Sequence, residues 1–364
     1  MRIHGGNPWV LMRRHGFARH EVLDFSVDVN PLGFPPVVRS AITDHLEDIR
    51  CYPDPEAREF RDAVAAEHGI AAEAVLPGNG VAELISLVAQ ARPGATTVII
   101  VPAFGEYAWA MAQGGATIRS APTAEAAGFQ LHLADHDWAK LLQGAGVVFL
   151  CNPNNPTGAA ATREAVLELA RRCRAAGAWL VVDEAFVEFA EYPNALSVVG
   201  DASRLEQVIV LRSLTKLFAI PGLRVGYLVA APAIVERLRA LQPAWPLNTF
   251  AAVVGTQVLQ QSAYVAQSRR LIATLRDELA QLLGAVPGVR VFPSATNFLL
   301  CKLLDPAVAS SELCDRLAAQ GVLLRSCDSF TGLEPGRFIR VAVRTREDHR
   351  RLVGALQQVL AHAG

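Results

Sequence analysis

Lysine is the scarce residue of this chain. Of 34 basic residues among 364, only Lys140, Lys216 and Lys302 are lysine, so a chemistry that needs a lysine amine has three candidates. An excess of either charge is also missing. The 35 acidic residues offset the basic ones to a net charge of −1, which argues against nucleic acid or a membrane surface held by bulk charge. No apolar run approaches the roughly 18 residues of a spanning helix. The opening residues, Met1 to Pro8, lack the apolar stretch of a signal peptide, and a cytoplasmic location is expected. Cysteines stand scattered at 51, 151, 173, 301, 314 and 327 with no CxxC pair. They read as reduced thiols rather than a disulfide frame or a zinc site, and no metal is expected. What is plentiful is apolar material, 51% against 19% charged. That excludes a disordered chain, and the length suits about two domains.

Along the chain, residues 1–35 carry Gly5, Gly6, Pro8, Pro31, Gly33 and Pro35, with Pro36 next, and suit an irregular, extended arm. Helical patterns follow near 37–49, 56–67, 81–91, 105–113, 162–175 and 232–241. Between them lie the short runs Thr97–Val101, Val147–Cys151, Trp179–Val182, Val208–Leu211 and Val225–Val229. Runs this short, rich in β-branched residues and without alternation, predict strands buried on both faces of a mostly parallel sheet, hence an α/β domain. A long helical stretch spans about 249–283. Beyond it, strands are expected at Val289–Phe292, Asn297–Cys301, Val322–Arg325 and Phe338–Val343, with helices at 309–319 and 346–361, an α+β pattern. The expected division is a large domain over 35–247, with 1–34 and 248–364 forming an arm and a smaller domain.

Several polar loops follow the expected strands, where α/β folds place ligands. The most informative runs from Ser213 to Gly226 and holds Thr215, Lys216 and Arg224. A lysine flanked by two hydroxyls, with an arginine eight residues on, suits a phosphate held beside a reactive amine. Taken alone it is equally a solvated loop lysine. Asp183, in Val181-Val-Asp-Glu-Ala-Phe186, stands where a carboxylate pairs with a pyridinium nitrogen, or caps a helix. Asn155 follows Val147–Leu150 in Cys151-Asn-Pro-Asn-Asn-Pro-Thr-Gly158, a cofactor-oxygen donor or only a rigid turn. Pro77-Gly-Asn-Gly80-Val81 leads into a helix, so backbone amides there suit a phosphate, or the glycines serve a left-handed turn. His132 and His136 are read as solvated, as is the Arg171-Arg172-Cys173-Arg174 run.

Asn155, Asp183 and Lys216 in this order, with Ser-x-Thr-Lys and Arg224, resemble the fold-type-I pyridoxal-phosphate enzymes of the histidinol-phosphate aminotransferase branch. The resemblance covers essentially the whole chain. It implies pyridoxal 5′-phosphate as cofactor and Lys216 as the residue joined to its aldehyde. Asp183 would face the pyridine nitrogen and Asn155 the ring hydroxyl. Ser213, Thr215, Arg224 and the backbone of Gly80 and Val81 would hold the phosphate. Phe104, in Pro102-Ala-Phe104-Gly-Glu-Tyr107, would stack on the ring. Tyr52, in Cys51-Tyr-Pro-Asp-Pro55, matches a tyrosine that reaches the neighbouring subunit's cofactor phosphate, which implies a homodimer with shared sites. Arg340 matches the arginine that grips the substrate's anionic end.

Within the branch, His4-Gly-Gly-Asn7 and the segment Asp24 to Gly33, with Asn30, look like the L-threonine O-3-phosphate decarboxylases of cobalamin biosynthesis. Phe186 stands where the aminotransferases usually carry tyrosine, and the decarboxylases are similar to this chain there too. The segment Val322 to Leu333, with Arg325, fits a doubly anionic substrate together with Arg340. The resemblance thus implies loss of CO₂ from a phosphorylated amino acid whose phosphate, held by some of His4, Arg325 and Arg340, turns the Cα–carboxylate bond perpendicular to the cofactor ring. A histidinol-phosphate-type aminotransferase and an L-serine O-phosphate decarboxylase stay open as alternatives.

Overall fold

Strands without alternation must be covered on both faces, and the computed structural model, which describes residues 8–361, shows how. In chain order the strands are β1 (Leu23–Asp24), β2 (Val75–Gly78), β3 (Thr96–Val101), β4 (Ile118–Pro122), β5 (Ala145–Cys151), β6 (Trp179–Asp183), β7 (Val208–Ser213) and β8 (Gly226–Ala230). Then follow β9 (Val289–Val291), β10 (Phe298–Leu303), β11 (Val322–Leu323), β12 (Arg325–Ser326) and β13 (Phe338–Ala342). Seven strands form the central sheet in the order β2-β8-β7-β6-β5-β3-β4. It is parallel from β4 to β7, and β8 runs antiparallel to both its neighbours.

Because side chains alternate along a strand, this sheet feeds two cores. Leu180, Val182, Val208 and Val210 enter one, packed with the helices Arg163–Ala175, Thr249–Leu259 and Ser262–Gly284. Trp179, Val181, Ile209 and Leu211 enter the other, beneath the helices Val81–Ala91, Glu106–Gln113 and Pro232–Arg239. A second, antiparallel sheet has the order β12-β13-β10-β9, and Leu313, Leu317, Leu352 and Leu356 of helices Ser310–Ala318 and Arg346–Ala361 are buried in the first core. The N-terminal segment joins this later part: β1 pairs in parallel with β11, and Ala342 donates its amide to the Phe25 carbonyl. Among the described residues no helix is long and apolar enough to cross a membrane.

The structure differs from the sequence expectations at several places. Residues 8–15 form a helix and Leu23–Asp24 a strand, within a segment expected to be irregular. The helix expected over 37–49 ends at Asp44 and continues as a 3₁₀ turn, Leu46–Arg50. The long stretch over 249–283 breaks at Gln260 and Gln261. Val322–Arg325 splits between two partners, β1 and β13. Strands β2 and β4 went unread for a physical reason. Both lie at sheet edges: β2 is buried but short and interrupted by Pro77 and Gly78, and β4 exposes Ser120, so neither sequence reads as a run of β-branched residues.

Candidate active site

Register converges the polar loops. Gly78 pairs with Gly226, and Gly226 with Ser213, in one row across β2, β8 and β7. Next to it, Cys151 pairs with Asp183 and Asp183 with Leu211. The carboxyl ends of β5, β6 and β7 therefore present Asn155, Asp183 and the Ser213–Lys216 loop side by side.

The first row builds an anion cradle. The Ser213 and Thr215 hydroxyls lie 2.8 Å apart. Gly80, immediately before the helix Val81–Ala91, adopts φ +73°, and a Cβ there would stand 2.5 Å from the Arg224 guanidinium. A Cβ at Gly226 would meet the Arg212 carbonyl at 2.7 Å. Both glycines thus let backbone amides at a helix N-terminus, the two hydroxyls and Arg224 face one small volume.

Asp183 is buried and accepts a hydrogen bond from the Tyr107 hydroxyl at 2.6 Å and from the Ala185 amide at 3.0 Å. Burial holds its carboxyl above the ordinary range, opposed by the Tyr107 hydrogen bond, the Ala185 amide and Lys216. Tyr107 is itself clamped face to face on Phe149, with ring centres 4.8 Å apart. Below, the buried Arg212 bridges the buried Glu184 at 2.9 Å and the partly exposed Glu188 at 2.8 Å, which ties β7 to the segment after β6.

A cavity of about 380 Å³ meets the polar loops at Asn155 and Lys216, and its wall does not include Asp183, Ser213, Thr215, Arg224, Gly80 or Val81. It is lined by Phe104, Asn155, Lys216, Arg325 and Arg340 of the expected set. It is also lined by Asp28, Glu106, Trp109 and Ser329, which sequence reasoning did not single out. Lys216 Nζ lies 3.8 Å from Asp28 Oδ2. Arg340 donates to Asn155 Oδ1 at 2.6 Å and to the Ser26 carbonyl at 2.9 Å, and is ion-paired with Asp28. Arg325 donates to Ser329 Oγ at 2.7 Å and lies over the Phe330 ring. The two arginines are direct cross-strand partners on β12 and β13, both buried. Like charges in that position destabilise a sheet, and burial followed by Arg340 pushes the Arg325 guanidinium down. An unfavourable pair kept in a cavity wall is the mark of a site for anions.

Other expected residues lie elsewhere. Asn30 sits beneath the lysine loop, its amide donating to the Leu217 carbonyl and to Ser268 Oγ, both at 2.8 Å. It carries the Lys216 segment from below and does not line the cavity. Tyr52 is 80% exposed and stacks on Trp245, away from the cavity. Phe186 is buried edge-on against Phe298. His4 lies outside the described residues. Asp28 had one readable signal, its place two residues before Asn30 in a segment already noted. Tyr107 had another, three residues after Phe104.

A fold with this sheet order and this lysine loop defines a class of enzyme, and the sequence matches it. The model of the aminotransferase class I and II family matches residues 20–356, and the chain belongs to that family. It is 37% identical to the threonine-phosphate decarboxylase of Salmonella typhimurium over 98% of this chain and 96% of that one. Two solved structures are similar. One is the L-threonine-O-3-phosphate decarboxylase from Porphyromonas gingivalis, with TM-score 0.83, 25% identity, and 94% of this chain and 100% of that one covered. The other is the histidinol-phosphate aminotransferase from Clostridium acetobutylicum, with TM-score 0.86, 26% identity and the same coverages.

The cofactor is pyridoxal 5′-phosphate, and the residues fit it. The cradle that a Cβ at Gly80 would fill suits the phosphate, and the buried Asp183 suits the pyridine nitrogen.

Proposed function

We propose that the chain is a pyridoxal-phosphate-dependent carboxy-lyase of cobalamin biosynthesis. It releases CO₂ from L-threonine O-3-phosphate and leaves (R)-1-amino-2-propanol O-2-phosphate. The observation that carries this reading is the buried Arg325–Arg340 pair in the wall of the Lys216 cavity. Two guanidiniums side by side ask for a ligand with two anionic ends. The identity to a threonine-phosphate decarboxylase along nearly the whole chain supports it.

Bound pyridoxal phosphate supplies an electron sink for whichever bond at Cα stands perpendicular to its ring. Lys216 is the amine that would hold the cofactor through its aldehyde. Freed, it is the base and acid beside Cα, and it delivers the proton that takes the place of the lost carboxylate. Asp183 would keep the ring nitrogen protonated, its carboxylate oriented by the Tyr107 hydroxyl. Asn155 would donate to the ring hydroxyl, Phe104 would cover the ring face, and Gly80, Val81, Ser213, Thr215 and Arg224 would hold the phosphate. Arg340, hydrogen-bonded to Asn155, takes the substrate carboxylate. Arg325, with Ser329 and with His4 from the N-terminal segment, takes the substrate phosphate. Binding energy at that remote end then sets which bond at Cα is upright.

The working unit in this reading is a cytoplasmic homodimer, Tyr52 reaching the partner's cofactor phosphate. Exposed Leu46, Ile49, Tyr52 and Trp245 support it. We also place the large domain at 35–247, and join 1–34 to 248–364, supported by the β1–β11 pairing.

The deciding assay supplies L-threonine O-3-phosphate without a 2-oxo acid and measures CO₂. Release of CO₂, with borohydride fixing the cofactor to Lys216, is the expected result. Amino transfer from histidinol phosphate to 2-oxoglutarate with no CO₂ from threonine phosphate would overturn it. Serine phosphate, one methyl smaller, is expected to be turned over less well, since a methyl discriminates by about 1–3 kcal/mol.

A further inference from the structure

Two acidic groups of the cavity wall, Asp28 and Glu106, have no part in the scheme above, and Asp28 is ion-paired with one of its cations. Asp28 is 3% exposed and stands between the two cations nearest the reacting carbon. One of its carboxylate oxygens is paired with Arg340 and the other lies 3.8 Å from Lys216 Nζ. Arg340 also donates from its terminal nitrogens to the Ser26 carbonyl and to Asn155, and its Nε is buried without a partner. The guanidinium reserved for a substrate carboxylate is therefore already shared with a carboxylate of the protein.

We propose that Asp28 determines the reaction's outcome by standing against the substrate's α-carboxylate. The proposal rests on the decarboxylase reading. A substrate carboxylate on Arg340 brings a second anion onto one guanidinium, beside the buried Asp28, where like charges repel more strongly than in water. Arg340 then orients this carboxylate without holding it tightly, while Arg325 and Ser329 hold the phosphate with no acidic side chain on them. The repulsion falls on one bond. When the bond from Cα to the carboxylate carbon breaks, its electron pair stays on the Cα side, the carbon leaves as neutral CO₂, and Cα receives a proton. The charge beside Asp28 has gone, so the repulsion present in the bound substrate is relieved as that bond breaks. Breaking the Cα–H bond instead leaves both carboxylates in place and relieves nothing. The other charged groups facing this volume are Lys216, Arg325, Arg340 and Glu106.

The test compares the holoenzyme with Asp28→Asn, which keeps an oxygen acceptor for Arg340 and removes the charge. The inert ligands 3-phosphoglycerate and 2-hydroxyethyl phosphate differ only by a carboxylate and, lacking an amine, do not react. By calorimetry, Asp28→Asn binds 3-phosphoglycerate about tenfold more tightly and 2-hydroxyethyl phosphate unchanged. With threonine phosphate, KM and kcat fall together, the mark of lost ground-state repulsion. Equal effects on the two ligands, a raised KM or an unchanged kcat would overturn the proposal. If Asp28→Asn does not fold, Asp28→Ser carries the same comparison. The binding arm does not depend on CO₂ release, so failure of the decarboxylase reading shows separately, in the unaltered enzyme.

Discussion

At the scale of single residues, the site is a set of charges kept where burial disfavours them. Asp183 is the clearest case. Burial raises its carboxyl, opposed by the Tyr107 hydroxyl, the Ala185 amide and Lys216, and a pyridinium bound beside it would favour the ionised form further. Asp183→Asn is expected to lower the rate of CO₂ release by about 10²–10³, while borohydride still fixes the cofactor to Lys216. Tyr107→Phe removes one hydrogen bond to a carboxylate that stays buried, at a cost of about 1–3 kcal/mol. Steady-state rates for it are expected to fall by about tenfold, with the pH profile displaced because Asp183 holds its proton more firmly. An unchanged profile would separate Tyr107 from Asp183. The residues of this set were legible in the sequence where type and spacing coincide with a strand end, as for Lys216, Asp183 and Asn155. Asp28 was not legible, because its meaning comes from Arg340, a partner 312 positions away that only the tertiary fold brings to it.

At the scale of elements, what the sequence showed well were segments whose pattern is decided locally. The helix over 81–91 stands where its pattern placed it, and the unbroken apolar runs at 179–182 and 208–211 lie in strands that extend to Asp183 and Ser213. What it hid were segments decided by neighbours. Leu23–Asp24 is a strand only because Val322–Leu323 lies beside it, and Gln260–Gln261 interrupts an apolar pattern that runs through both flanking helices. The cradle at the start of helix Val81–Ala91 belongs to both groups: its glycines were visible, but the need for them arises from Arg224. That need is testable. Gly80→Ala places a Cβ 2.5 Å from the Arg224 guanidinium, at a φ of +73°, so the arginine must leave the cradle and the backbone is strained. Cofactor titration is expected to show affinity lowered by about 10- to 100-fold. Excess pyridoxal phosphate should recover most of the turnover. Wild-type affinity in this variant would mean that the phosphate is held elsewhere.

At the scale of the molecule, two properties follow from how the parts close on one another. The first is pH sensitivity of folding. His68, hydrogen-bonded to Tyr227, and His349, against the Arg344 amide, both have pKa values lowered by burial to about 4. Below pH 6.5 an unfolded histidine takes up a proton that the native one refuses until about 4. The unfolded state binds more protons in that interval, and stability falls as pH drops from 6.5, at up to about 1.4 kcal/mol per pH unit for each histidine. His68→Gln should flatten Tm between pH 6.5 and 5, and the double variant with His349→Gln should flatten it further. The second property is the sharing of sites between subunits. Tyr52 is far from its own chain's cavity and 80% exposed, on a patch with Trp245, Ile49 and Leu46. If Tyr52 serves the partner's cofactor phosphate, Tyr52→Ala and Lys216→Ala each disable both sites of their own homodimers. Mixed after gentle dissociation, they rebuild one intact site per heterodimer, because the Lys216→Ala chain still supplies Tyr52 to the chain that retains Lys216. Random pairing makes half the dimers hybrids with one of two sites working, so the mixture is expected to recover about a quarter of wild-type specific activity. Sites contained within one chain would give no recovery from mixing, and a chain that sediments as a monomer would remove Tyr52 from the site altogether.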